Sequence, residues 1–168
     1  GVGHGGGLTL PGGARNLQDI YPLAPLQEGI LFHHLSAKAG DPYLLRTLQR
    51  FDSRARLDAF LAALQAVIDR HDILRTAIVW EGLREPVQVV WRQAQLAVEE
   101  VDFDLAGGDV AVQLYDKVDP RRHRSDVQRA PLLRAVVSHE VTTGSWLLAL
   151  TLHHLVSDHT TLEAILGE

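Results

Sequence analysis

The chain has 168 residues, 46% apolar and 22% charged, which suits a soluble globular domain able to bury one sizeable core. Its 21 acidic residues outnumber 16 basic ones for a net charge of −5, the reverse of the basic excess that general nucleic-acid binding requires. The absence of cysteine excludes disulfides, thiolate nucleophiles and cysteine metal sites. No apolar run approaches the ~20 residues of a membrane helix and no basic-then-apolar leader opens the chain, so neither a nucleic-acid nor a membrane partner is expected and a cytoplasmic setting is the default.

Residues 1–16 hold seven of the 14 glycines and read as a flexible linker or tag remnant. Gly1 in place of methionine fits a processed chain or a piece of a longer one. The folded domain is expected over 17–168, its first structured residues near Asp19. Pro22 and Pro25 punctuate the start of a first helix, where Leu26, Ile30 and Phe32 to His34 keep helical spacing before Gly40 stops it. Tyr43 to Phe51 reads as a strand. From Arg56 to Arg70, Leu57, Phe60, Leu61, Leu64, Val67 and Ile68 form one helical stripe. Strand-like runs follow at Leu74 to Trp80, Pro86 to Trp91 and Leu96 to Asp102, with Gly82 marking a hairpin turn.

Asp109 to Arg129 is mostly polar and predicts two helical pieces, because Pro120 cannot continue a helix. Leu132 to His139 and Trp146 to His153 read as strands joined by a turn at Thr142, Thr143, Gly144 and Ser145. The second, WLLALTLHH, is apolar almost throughout and suits a central strand buried on both faces. A helix is expected from Thr160 to Leu166. Hairpins with interspersed helices favour an α+β fold with a mixed or antiparallel sheet packed against helices.

The stretch richest in chemistry is His153-His154-Leu155-Val156-Ser157-Asp158-His159, where a buried strand ends. Adjacent side chains on extended backbone point to opposite faces. One histidine should therefore face the core and the other an open side, where it can accept a proton or hydrogen-bond a reacting group. Asp158 is near enough to orient a histidine or to be held by an arginine. Three other readings stay open: two ordinary histidines with satisfied ring nitrogens, a metal site made by His153, His154, Asp158 and His159, and a His-x4-Asp acyltransferase dyad of the glycerolipid type.

Four segments taken together resemble the condensation domains of nonribosomal peptide synthetases. His153 to Asp158 is similar to the family's His-His-x-x-x-Asp-Gly signature up to its last position, where this chain has His159. Asp19-Ile-Tyr-Pro-Leu-Ala-Pro-Leu-Gln-Glu-Gly-Ile-Leu-Phe-His33 resembles the opening motif, with Pro-Leu-Gln-Glu-Gly wording like the branches that accept or make an epimerised donor. Arg70-His-Asp-Ile-Leu-Arg75-Thr-Ala resembles the second motif. Arg129-Ala-Pro-Leu-Leu-Arg134 is similar to the stretch before the central strand. All four fall in the family's order.

The resemblance implies the N-terminal of two lobes, each like chloramphenicol acetyltransferase, that meet around a tunnel where an acceptor amine attacks a donor thioester. It makes His154 the catalytic candidate, His153 and Asp158 structural, and Arg75 the buried partner of Asp158. His159, in the glycine position, would modulate the tunnel. No cofactor or metal is bound directly; phosphopantetheine would arrive on the donor and acceptor peptidyl carrier proteins, which are the implied partners together with the domain's missing C-terminal lobe. That lobe lies beyond residue 168, so the chain alone is expected to be inactive and to expose an apolar inner face. Two alternatives remain: a degenerate recruitment platform for a carrier protein or tailoring enzyme, favoured by His159, and a lobe of an epimerisation domain.

Overall fold

A computed structural model describes residues 14–36, 44–121 and 126–155. Asp158, His159 and the helix expected over Thr160 to Leu166 lie outside them. Among the described residues, seven strands form two sheets and three α-helices accompany them. The larger has four strands in the order β2 (Leu44–Phe51), β7 (Ser145–His153), β6 (Leu133–Glu140) and β5 (Ala97–Glu100). The smaller has β1 (Leu17–Pro22), β4 (Val87–Trp91) and β3 (Thr76–Val79), both of its pairings antiparallel.

The apolar run of β7 is central, as its composition predicts. It pairs antiparallel with β2 from Leu44 opposite His153 to Phe51 opposite Trp146, and with β6 from Leu133 opposite Leu152 to Glu140 opposite Ser145. Its two faces enter different cores. Leu148, Leu150 and Leu152 join Leu57, Leu64, Val67 and Ile68 of helix α2 (Arg54–Arg70). Leu147 and Ala149 join Val110 and Leu114 of helix α3 (Val110–Lys117). Burial of each such leucine stabilises the fold by about 1.5–3 kcal/mol, so β7 is clamped from both sides. The helix α2 begins one turn after the sheet, where the Ser53 hydroxyl accepts from the Arg56 N–H at 3.2 Å, a cap worth about 1 kcal/mol. The Gly82 hairpin forms as expected, with Gly82 at φ 75°, a left-handed turn conformation that glycine adopts without steric cost.

Three expectations need correction. The described residues open with a 3-10 turn at Ala14–Asn16 and enter β1 at Leu17, ahead of Asp19; Leu17 and Ile20 are the half-buried positions of this strand, which ends in Pro22. A proline is tolerated there because β1 lies at a sheet edge. The region from Asp109 to Arg129 holds one α-helix among the described residues, α3, which ends at Lys117 before Pro120; turns occupy 118–121 and 127–128. The strand expected from Leu74 starts instead at Thr76, because Asp72–Arg75 winds into a 3-10 turn. The larger sheet is mixed, within the expectation: β5 pairs parallel with β6, and α3 lies in the crossover that a parallel pair demands. Among the described residues no helix is long and apolar enough to cross a membrane.

Candidate functional site

Helix α1 (Pro25–Ser36) packs Ile30, Leu31 and His34 inward and meets the end of β7 there. The two adjacent histidines separate as the strand geometry requires. His153, the last residue of β7, is fully buried. Its backbone N–H donates to the Leu132 carbonyl at 3.0 Å and its Nδ1 accepts from the Leu155 N–H at 3.1 Å. The His34 ring stands edge-on to it, centroids 5.3 Å apart. With Nδ1 accepting, the ring proton belongs on Nε2, so neither nitrogen of His153 keeps a lone pair for a metal ion. His154 is half-buried, on the turn that follows. Among the described residues no hydrogen bond engages its imidazole.

Leu155 is buried in the main core, and its carbonyl accepts from Gln27 Nε2 of α1 at 3.3 Å. Gln27 Oε1 in turn accepts from the Ala24 N–H and from Gln88 Nε2 of β4, both at 2.9 Å. Gln27 falls within the Pro-Leu-Gln-Glu-Gly wording of the opening segment, but that likeness assigns it no partner. The available signal is its place at the start of a helix opened by Pro25, where a glutamine side chain reaches back to the first free N–H groups.

Arg75 closes the 3-10 turn that leads into β3. It is 5% exposed, and its guanidinium donates to the Ile68 carbonyl at 3.1 Å, to Gln18 Oε1 at 2.8 Å, to the Trp91 carbonyl, and to Asp72 Oδ1 at 2.6 Å. It thereby joins the end of α2 to β1 and β4. Asp158 and His159 fall outside the described residues.

The opposite end of β7 carries a second polar cluster. The buried Glu140 carboxylate accepts from the Thr143 hydroxyl at 2.6 Å and from Arg50 Nε and Nη2 at 3.1 and 3.0 Å. The Thr143 hydroxyl and then the Arg50 fork hold Glu140 below the ordinary carboxylate range. Asp119 is likewise depressed, chiefly by Arg121. Beside it an apolar hollow of about 280 Å³ lies between Leu48, Val112 and Tyr115, and a larger one of about 1010 Å³ opens near Arg15, Asp69 and Arg92. Neither includes a residue of the histidine motif.

The family model for the condensation domain matches residues 17–168. Malpinin synthetase of Mortierella alpina is 55% identical over 154 residues, which cover 92% of this chain and 2% of that synthetase. Malpibaldin synthetase of the same organism is 48% identical over 159 residues, covering 95% and 3%. The chain therefore spans a small fraction of these relatives. Among solved structures, a starter condensation domain of rhizomide synthetase superposes with a TM-score of 0.68 at 21% identity, covering 89% of this chain and 37% of that one. A holo four-domain nonribosomal peptide synthetase bound to AMP and glycine gives 0.72 at 16% identity, covering 89% and 11%.

Proposed function

The chain belongs to the condensation-domain family of nonribosomal peptide synthetases, as the N-terminal part of such a domain with its chloramphenicol-acetyltransferase-like fold, and on that premise we propose that His154 is the group in this lobe that acts on the acceptor amine. Condensation domains of this type work on substrates held as phosphopantetheine thioesters on carrier proteins. In the reaction the amine of an acceptor aminoacyl thioester attacks the donor thioester carbonyl. A C–N bond forms, the C–S bond breaks, and the proton lost by nitrogen ends on the departing thiolate. His154 is suited to take that proton or to hold the amine against the carbonyl by a hydrogen bond.

The observation that carries this reading is the separation of the pair. His153 is buried and engaged through backbone and ring, whereas His154 keeps part of its surface open on the adjoining turn. His153 is structural in this account, and Asp158 is assigned a supporting role in the same motif, with Arg75 as its expected partner. Residues 17–168 make up the lobe and 1–16 lead into it. The rest of the domain would cover the apolar α1 side chains Leu26 and Phe32, which are largely exposed here. Because the two carrier-bound substrates meet between lobes, the isolated chain forms no amide.

The test is amide formation by the complete domain between loaded donor and acceptor carrier proteins. His154→Ala should lower the rate by about 10²–10⁴-fold, and His159→Gly should keep or raise it. Unchanged amide formation by His154→Ala would contradict the assignment. It would favour the second reading, a recruitment platform, to which His159 at the signature's glycine position lends support.

A further inference from the structure

We propose that Gln27 is a positioning residue for the His154 turn, an inference that rests on the reading of His154 as the reacting group. The argument begins with the orientation of one side-chain amide. Gln27 Oε1 faces two N–H donors, the Ala24 backbone and the Gln88 side chain, both at 2.9 Å. A flipped amide would set its NH2 against the Ala24 N–H, donor to donor, so the oxygen is fixed on that side. The NH2 is then committed to the other side, where the Leu155 carbonyl lies at 3.3 Å. Gln88 is itself fixed, since its Nε2 also donates to the Pro22 carbonyl at 3.1 Å. One amide thus ties α1, β4 and the residue after His154.

The consequence is that His154 sits between two anchored neighbours. His153 is held by its N–H on Leu132 and by its buried ring. Leu155 is held by its N–H on His153 Nδ1, its side chain in the core and its carbonyl on Gln27. With both flanking residues fixed, the Cα–Cβ direction of His154 is fixed as well. An imidazole that positions an amine within hydrogen-bond range needs that precision, because displacement by about 1 Å can cost ~100-fold in rate. Of the two hydrogen bonds on Leu155, the one from Gln27 bridges the greater distance in sequence.

The two ends of the Gln27 amide also do separable work. The oxygen closes the start of α1, where Ala24 precedes Pro25 and the Glu28 N–H already donates to the Ala24 carbonyl at 3.0 Å. Glutamate performs that capping role as well as glutamine. It has no N–H, and would place a carboxylate oxygen against the Leu155 carbonyl. Gln27→Glu therefore keeps the helix start and removes the tie to the turn, whereas Gln27→Ala removes both.

The experiment uses the complete condensation domain in its synthetase module, with loaded carrier proteins as probes. Melting temperature, hydrogen exchange of the segment around residues 153–155, and kcat and KM are measured for the parent, Gln27→Glu, Gln27→Ala and His154→Ala. Gln27→Glu should melt slightly below the parent and above Gln27→Ala, exchange faster around residues 153–155, and lose roughly tenfold in kcat with KM for both carriers unchanged. Gln27→Ala should lose the same kcat and melt lower. Parental exchange and parental kcat in Gln27→Glu would overturn the proposal. If His154→Ala keeps full activity while Gln27→Glu still loosens the segment, the tie stands and the catalytic reading of His154 falls.

Discussion

The two ends of β7 are built alike in backbone and differently in side-chain bonding. At the Ser145 end, Glu140 is closed on itself: Thr143 and Arg50 take both carboxylate oxygens, the Thr143 and Gly144 N–H groups donate to the Glu140 carbonyl, and Gly144 turns the chain at φ 75°. His139 stacks on Trp146 with centroids 4.6 Å apart, and Arg54 covers the same indole. At the His153 end the backbone is secured with equal care, by Leu132, His153 Nδ1 and Gln27. Yet the side chain carried between these anchors, His154, has no hydrogen bond among the described residues. A cluster whose polar atoms are spent on one another stabilises. On the proposed reading, the fixed backbone at the other end holds the His154 imidazole for a substrate.

The sharpest way to break this contrast is at His154, where alanine should reduce amide formation by about 10²–10⁴-fold and leave the melting temperature unchanged. Arg75→Ala comes next in size. It deprives the Ile68 and Trp91 carbonyls of their donor and should destabilise the complete domain by about 3 kcal/mol in urea titration; lysine would not restore it, since a single ammonium cannot reproduce the guanidinium fork. If Asp158 shares that guanidinium, a double-mutant cycle with Asp158→Ala should show coupling above ~0.5 kcal/mol. At the other end, Thr143→Ala should cost about 1 kcal/mol with kcat retained.

The smallest effect is in pH. Glu140 is depressed below its ordinary value of 4.5, so the folded state holds its proton less tightly than the unfolded chain does. Its contribution is complete above that value and is lost as the pH falls through the lowered one. Glu140→Gln should remove that contribution, lowering stability modestly near neutrality and flattening the acid limb below about pH 4.5.

Much of this was legible in the sequence because the relevant patterns are local. The α2 stripe, the doubly buried β7, the Gly82 and Gly144 turns and the divergence of the two histidines all follow from periodicity or from glycine. What was not legible depends on partners far along the chain. The edge strand β1 has no apolar run and exists through its pairing with β4, some 70 residues on. The parallel register of β5 on β6 is set by a crossover. The 3-10 turn at Asp72–Arg75 forms where the Arg75 guanidinium folds back on carbonyls of α2 and β4. At the site, the histidine pair and Arg75 were visible as residue types in order, whereas the bond from Gln27 to Leu155 spans 128 positions and appears only in the fold.

The most direct test sets both ends of β7 against each other in one assay: single-turnover amide formation by the complete domain, at a temperature where every variant is folded, for His154→Ala beside Thr143→Ala. The account predicts that His154→Ala loses the reaction with unaltered melting, while Thr143→Ala melts lower and reacts at the parental rate. Parental turnover by His154→Ala, or loss of turnover and stability together in both variants, would contradict it.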